Sequence, residues 1–316
     1  MRIPTVITRF ENLEQDMDEH KGPVLVIGAT GRQGGAAARA LLERGWPVRA
    51  FVRNTGAPAA RALADAGAEL IPGDLGDEDS LRTAMDGAHG VFLMMTMMVG
   101  ANISLDAVAA EERHGRTVAD LAAKAGISHL VYSSLNGVGA GSGIEYYDAK
   151  EHIEEYIRSL ALPATVLRPV SFMDNFATYN RPTRDGDHLV LALPVDPATP
   201  MPLIAIHDIG QFAAVAFERP HQLLGRTLEI AGDVLPPTRI AEILARAAGL
   251  TPRTAQIPIE RISAFDEQVG KMFAFFNSRP VPAIDIPALR AFHPSLMTFD
   301  DWVHTTDGKT KTISPS

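Results

Sequence analysis

The chain has 316 residues, enough to bury a sizeable core in one large or two unequal domains. Its 46% apolar and 21% charged residues are those of a globular protein, and a formal net charge of −9 argues against a nucleic-acid-binding surface. The absence of cysteine excludes disulfides, thiolate metal sites and cysteine nucleophiles together. Residues 1–21 carry Glu11, Glu14, Asp16, Asp18 and Glu19 and no apolar core, so they read as an acidic extension and not as a secretory signal. No apolar run approaches the roughly 20 residues of a membrane span. A cytoplasmic protein with no membrane partner is expected.

From Pro23 short apolar runs alternate with amphipathic stretches. Strands are expected over 24–27, 48–52, 69–71, 91–95, 130–133 and 165–167, with helices over 35–44, 59–66, 77–85, 107–125 and 149–160. Gly45, Gly67, Gly87 and Gly126 follow the helical patterns, where a C-terminal cap needs a left-handed residue. This alternation predicts an α/β protein with a doubly wound parallel sheet covered on both faces. After Arg168-Pro169 the rhythm breaks, and Pro182, Pro194, Pro197, Pro200 and Pro202 suit loops and edge strands. Helical patterns return over 209–217, 238–248 and 259–270, with a strand over 228–231. The domains expected are a nucleotide-binding unit over 22–170 and a smaller C-terminal α/β substrate lobe over 171–304. Part of that lobe, about 203–232, is expected to return to the sheet, and a polar tail covers 305–316.

The first strand, Val24-Leu25-Val26-Ile27, enters Gly28-Ala29-Thr30-Gly31-Arg32-Gln33-Gly34 and leaves into an alanine-rich helix. That is how a Rossmann-type fold sets a dinucleotide pyrophosphate on a helix N-terminus, where N–H groups and the helix dipole favour negative charge. Gly28, Thr30, Gly31, Arg32, Gln33 and Gly34 are therefore the expected cofactor-binding loop. Its spacing is G-x-x-G-x-x-G. NAD enzymes usually end the second strand with an acid for the ribose 2′-hydroxyl, but Arg53 stands there in Val52-Arg53-Asn54. A guanidinium grips a 2′-phosphate, so NADP(H) is favoured, with Arg32 within reach of the same group. Asp74, in Gly73-Asp74-Leu75, is expected beside the adenine edge.

The fifth strand ends Val131-Tyr132-Ser133-Ser134, and Tyr146-Tyr147-Asp148-Ala149-Lys150 follows a glycine-rich loop. Tyr146 and Lys150 are four apart, on one helical face if the helix has begun. A catalytic set of Lys150, Tyr146 and Ser133 (or its neighbour Ser134) has a clear logic. The ammonium lowers the tyrosine pKa and binds ribose hydroxyls, the tyrosine exchanges a proton with a carbonyl oxygen, and the serine bonds that oxygen. In the alternative, Tyr146 packs near the helix start and Lys150 alone meets the cofactor. Met94, Met95, Met97 and Met98 line a pocket or fill core. Phe172, Phe176, Phe273, Phe275 and Phe276 form an aromatic wall or pack between the lobes. His207-Asp208 and His114 lack partners at ligand spacing, so no metal is expected, and capping or surface roles suit them better.

Taken together, the glycine loop, Val52-Arg53-Asn54, Gly73-Asp74-Leu75, Val131-Tyr132-Ser133-Ser134, Lys150 with Glu154-Glu155-Tyr156, and Leu167-Arg168-Pro169 with Phe172-Met173-Asp174-Asn175-Phe176 resemble the NmrA-like family of atypical short-chain dehydrogenases/reductases. The resemblance runs from about Pro23 to Asp300-Asp301-Trp302. It implies a Rossmann domain preferring NADP(H) and a C-terminal lobe forming the substrate cleft. It also implies two kinds of relative: reductases of quinones, dyes or phenolic ethers, and cofactor-sensing regulators without turnover. Many members keep the lysine and lack the tyrosine, and in the reductases the lysine serves as general acid/base alone. The expected activity is NADPH-dependent hydride transfer to a small apolar carbonyl, quinone or enone. The alternative is a non-catalytic redox sensor acting through a protein partner.

Overall fold

The structure, a computed structural model, describes residues 22–305 except Ala101 and Pro280, together with Gly308. The acidic extension and most of the tail lie outside the described residues. Seven strands form the central sheet: β1 (Val24–Ile27), β2 (Val48–Val52), β3 (Glu69–Pro72), β4 (Gly90–Leu93), β7 (His129–Ser133), β8 (Ala164–Pro169) and β13 (Thr227–Ile230). Their order is β13-β8-β7-β4-β1-β2-β3, and every pairing is parallel, with Val24 opposite both Val48 and Gly90. The order reverses between β1 and β4, which is the topological switch point of a doubly wound sheet.

The helices are α1 (Arg32–Glu43), α2 (Pro58–Asp65), α3 (Glu78–Met85), α4 (Leu105–Ala125), α5 (Glu145–Ser159) and α6 (Ile206–Glu218). Period-two alternation along the strands sorts them into two layers. Val24, Val26 and Phe92 pack with α1, α2 and α6, whereas Leu25, Ile27, Val91 and Leu93 pack with α3, α4 and α5. Helices α1 and α6 approach closely, since a Cβ on Gly210 would stand 2.5 Å from the Ala36 carbonyl carbon and oxygen.

The chain between β4 and α4 forms a hairpin of β5 (Met98–Val99) and β6 (Asn102–Ile103). The C-terminal region builds its own core under two three-stranded sheets, which the proline-rich sequence hid. One sheet joins β11 (His188–Leu193) to β15 (Thr251–Gln256) in parallel, and the other centres on β12 (Met201–Ile204). The expected helix over 259–270 is instead two, α9 (Ile259–Phe265) and α10 (Glu267–Ser278). Asp266 breaks them: its backbone is extended, and its carboxylate caps α10 through Val269 N–H while accepting Ile103 N–H at 2.7 Å. Of the capping or surface roles expected for Asp208, the surface one does not hold. Asp208 is fully buried, 2.9 Å from His293 Nε2, and accepts the Met297 N–H.

At the start of β7 His129 is buried, with Nε2 2.8 Å from Thr165 Oγ1, whose own proton goes to the Leu223 carbonyl. The imidazole therefore donates through Nε2. Burial, and secondarily His89, push its pKa down to about 4. The folded value lies below the unfolded one, so this stability is complete above about pH 6.5 and drains away as pH falls toward 4, by about 3 kcal/mol. Urea denaturation across that window should show the wild type losing stability faster than His129→Asn. Parallel curves would contradict this account.

Candidate functional site

The site lies at the C-terminal ends of β1, β4 and β7. Gly28 leaves β1 with φ of +79°, and a Cβ there would stand 2.5 Å from the Met94 carbonyl that follows β4. The turn closes with Gly31 N–H donating to the Gly28 carbonyl at 2.9 Å. A Cβ on Gly34 would lie 2.2 Å from the Gly28 oxygen, so helix and turn touch backbone to backbone. Gly31 caps α1 without a side-chain bond, the first turn holds no acid, and Thr30, Gly31 and Arg32 are exposed. The first intrahelical bond is Gly35 N–H to the Gly31 carbonyl, which leaves the N–H groups of Arg32, Gln33 and Gly34 open to an anion.

The polar residues of the expected cofactor site divide. Arg53 is exposed beyond β2 and has no ion-pair partner among the described residues. Arg32 instead leans toward the C-terminal lobe, its Nη2 3.5 Å from Asp174 Oδ1. Asp174 also accepts the Ile206 N–H that opens α6. Asp74 is exposed and holds the Gly76 N–H at 2.8 Å in its own turn. Gln33 is buried and accepts the Ser133 hydroxyl proton at 2.8 Å, tying the start of α1 to the end of β7.

Helix α5 begins at Glu145, earlier than the sequence suggested, so Tyr146 and Lys150 do share one helix. The side chains nevertheless go to different partners. Lys150 Nζ donates to Glu111 Oε1 at 2.5 Å, both groups buried, and stands 5.7 Å from the centre of the Tyr132 ring. Tyr146 packs edge-on against Tyr147, with centroids 4.9 Å apart, and hydrogen-bonds its hydroxyl. Burial raises the Tyr146 pKa far above that of a free phenol, and the neighbours that act on it are Tyr147 and Asp266, not Lys150. Ser134 is taken by the fully buried Glu154 at 2.6 Å, which Arg168 holds through both carboxylate oxygens. The two serines thus point to opposite sides: Ser133 faces α1 and Ser134 faces α5.

Of the apolar candidates, Phe176 and Phe273 belong to the lobe core, and Met95 to the core beneath the sheet. Met97 and Phe275 instead pack around Tyr146 and Tyr147, between the two lobes, joined there by Leu135 and Met272, which the sequence had not singled out. The sequence reading missed Glu111 and Arg279. Glu111 had a signal, because it falls on the buried stripe of α4 with Val108, Gly115, Val118 and Ala122. Arg279 had none. It meets the loop before α5 across the fold, its guanidinium 4.6 Å from the Phe275 ring centre.

The fold and its glycine turn define a Rossmann-type α/β protein. The model of the NmrA-like family matches residues 20–302, and the chain belongs to that family. An NmrA-like family domain-containing protein of Dictyostelium discoideum is 28% identical over 80% of this chain and 87% of its own. The nitrogen metabolite repression protein nmrA of Emericella nidulans is 28% identical over 86% of this chain and 80% of its own. An NmrA-like family domain-containing oxidoreductase of Aspergillus hancockii is 30% identical over 77% of each chain. Among solved structures, the negative transcriptional regulator NmrA in complex with NAD matches with a TM-score of 0.78 at 23% identity, over 93% of this chain and 97% of that one. The same regulator in complex with NADP gives 0.77 at 22% identity, with the same coverage. An Escherichia coli NADPH-dependent quinone oxidoreductase with NADPH gives 0.72 at 21%, over 89% of this chain and 98% of that one.

Proposed function

We propose that the protein binds NADP(H) at the Gly28–Gly34 turn and is an oxidoreductase acting on a small apolar carbonyl, quinone or enone. The observation that carries this reading is the bare helix N-terminus at the switch point, with the Lys150–Glu111 pair buried beneath the neighbouring strand end. When bound, the reduced nicotinamide supplies a hydride. The substrate gains that hydride and one proton, a balanced two-electron reduction to the alcohol, hydroquinone or saturated ketone. Lys150 Nζ holds and delivers the proton, and Glu111 orients it. Ser133 and Gln33 fix the geometry between α1 and β7. Tyr146, hydrogen-bonded to Tyr147 and with its proton tightly held, shapes the wall beside the lysine. The named oxidoreductase and quinone-reductase likenesses support the reading. Purified protein incubated with NADPH and a panel of quinones, enones and aldehydes should consume NADPH with at least one class. No consumption above background, despite cofactor binding, would overturn it.

Arg53, without an ion-pair partner among the described residues, carries the preference for NADP(H) over NAD(H). Arg53→Ala should weaken NADPH about ten- to hundredfold, as expected for loss of a charge-assisted contact, and leave NADH nearly unchanged. Fluorescence titration of both cofactors decides it, and an equal loss for the two would refute the assignment. A second reading, a redox sensor acting through a protein partner, is favoured by the engagement of Ser133, Ser134 and Tyr146 with structural partners. It requires different affinities for oxidised and reduced cofactor, because a ligand shifts populations only through differential binding. Equal affinities would exclude it.

A further inference from the structure

We infer that the cleft selects a flat oxidised substrate bearing a negative charge (a carboxylate, a sulfonate or an ionised ring hydroxyl) and that Arg279 reads that charge. The inference rests on the proposed hydride transfer for what becomes of the substrate, but the recognition stands on its own geometry.

Arg279 caps the C-terminal end of α10, and its guanidinium lies over Phe275. Phe275 in turn meets Tyr147 edge-on, with centroids 5.8 Å apart. All three groups descend on one point of the β7–α5 loop. A Cβ on Gly137 would stand 2.9 Å from Tyr147 Cε1, 3.0 Å from Arg279 Nη1 and 3.4 Å from Phe275 Cε1. Only a glycine there, at φ of +96°, lets them close on the backbone. Tyr147 precedes Lys150 by one turn of α5, so this cluster borders the residue proposed to move the proton.

Arg168, Lys150 and Lys271 each meet a carboxylate, at Glu154, Glu111 and Glu145, whereas Arg219 and Arg290 donate to the carbonyls of Ala291 and Leu296. Arg279 has no carboxylate within ion-pair distance among the described residues, only aromatic rings and a glycine backbone. Its charge reaches the Tyr147 hydroxyl, where it opposes the effect of burial. A guanidinium is built to hold a planar or tetrahedral anion through two parallel N–H bonds, and apolar walls strengthen that attraction. Met97, Leu135 and Met272 add adaptable apolar surface for a ring.

The test compares ortho-naphthoquinone with its ring sulfonate, using NADPH and the full-length protein. The wild type should prefer the sulfonate. Arg279→Met should raise its KM about tenfold or more, the effect of losing one charge-assisted contact, and leave the neutral quinone within about twofold. Arg279→Lys should recover part of the preference, and undiminished NADPH binding by both variants verifies their fold. Equal effects on the two quinones, or none on the sulfonate, would overturn the inference. Equilibrium dialysis of the sulfonate against NADP-loaded protein needs no turnover. If Arg279-dependent binding appears there while neither quinone is reduced, the charge site stands and the hydride-transfer reading falls.

Discussion

Replacing Lys150 by methionine is expected to lower NADPH-dependent turnover by about a thousandfold, the middle of the range for loss of a general acid. The same change strips Glu111 of its partner at a site where both groups are buried. Breaking a buried pair from one side costs about 3–5 kcal/mol, because an uncompensated charge remains. The single variant therefore conflates chemistry with folding. The double variant Lys150→Met/Glu111→Gln removes both charges and should regain most of the stability in urea denaturation while staying inactive. Retained turnover in either folded variant would overturn the assignment of Lys150. Recovery of activity in the double variant would do the same, since it would mean that only the orphaned carboxylate had been harmful.

Gly34→Ala is expected to abolish cofactor binding and to cost about 3 kcal/mol, at the upper end of overpacking penalties. The added methyl would stand 2.2 Å from the Gly28 oxygen, 2.5 Å from its carbon and 2.9 Å from the Ala29 nitrogen. All three atoms are backbone, so no rotamer relieves the contact. The turn itself must open, and with it the cradle for the phosphates. Gly45→Ala is the matched control. It has φ of +74° but nothing within 4 Å, so it carries only the left-handed backbone penalty of about 1 kcal/mol. Cofactor titration should separate the two, with binding lost in Gly34→Ala and kept in Gly45→Ala. Normal NADPH affinity in Gly34→Ala would remove the turn from the site.

What the sequence made legible was what local chemistry dictates. Val24 to Ile27 is apolar at every position because both faces of its strand are covered. Gly34 was readable because the atoms that demand it, in Gly28 and Ala29, lie within a few residues, and Gly28 because of its turn, although its contact with the Met94 carbonyl is remote. Partnerships across the fold were not. Lys150 finds Glu111 39 positions away, and Ser133 finds Gln33 100 positions away, once the sheet order brings their strand and helices together. The start of α5 was also misjudged. The glycines before it at 139, 141 and 143 all take positive φ, so the chain turns into the helix immediately after them, at Glu145. In the C-terminal lobe β11 pairs with β15 from His188 opposite Thr251 to Leu193 opposite Gln256, a register no local pattern announces. Pro202 sits in the middle strand of its sheet without harm, because the pairing of β12 to the short strand Ser171–Phe172 starts at Leu203.

That bound NADPH gives up a hydride in this protein is tested most directly by a single-turnover experiment. Stoichiometric protein and NADPH are mixed without oxygen, and a quinone is added while nicotinamide fluorescence is followed. Loss of the fluorescence with formation of one equivalent of hydroquinone is expected, and no such loss in folded Lys150→Met/Glu111→Gln. NADPH that binds tightly and stays reduced, whatever quinone, enone or aldehyde is supplied, would contradict it.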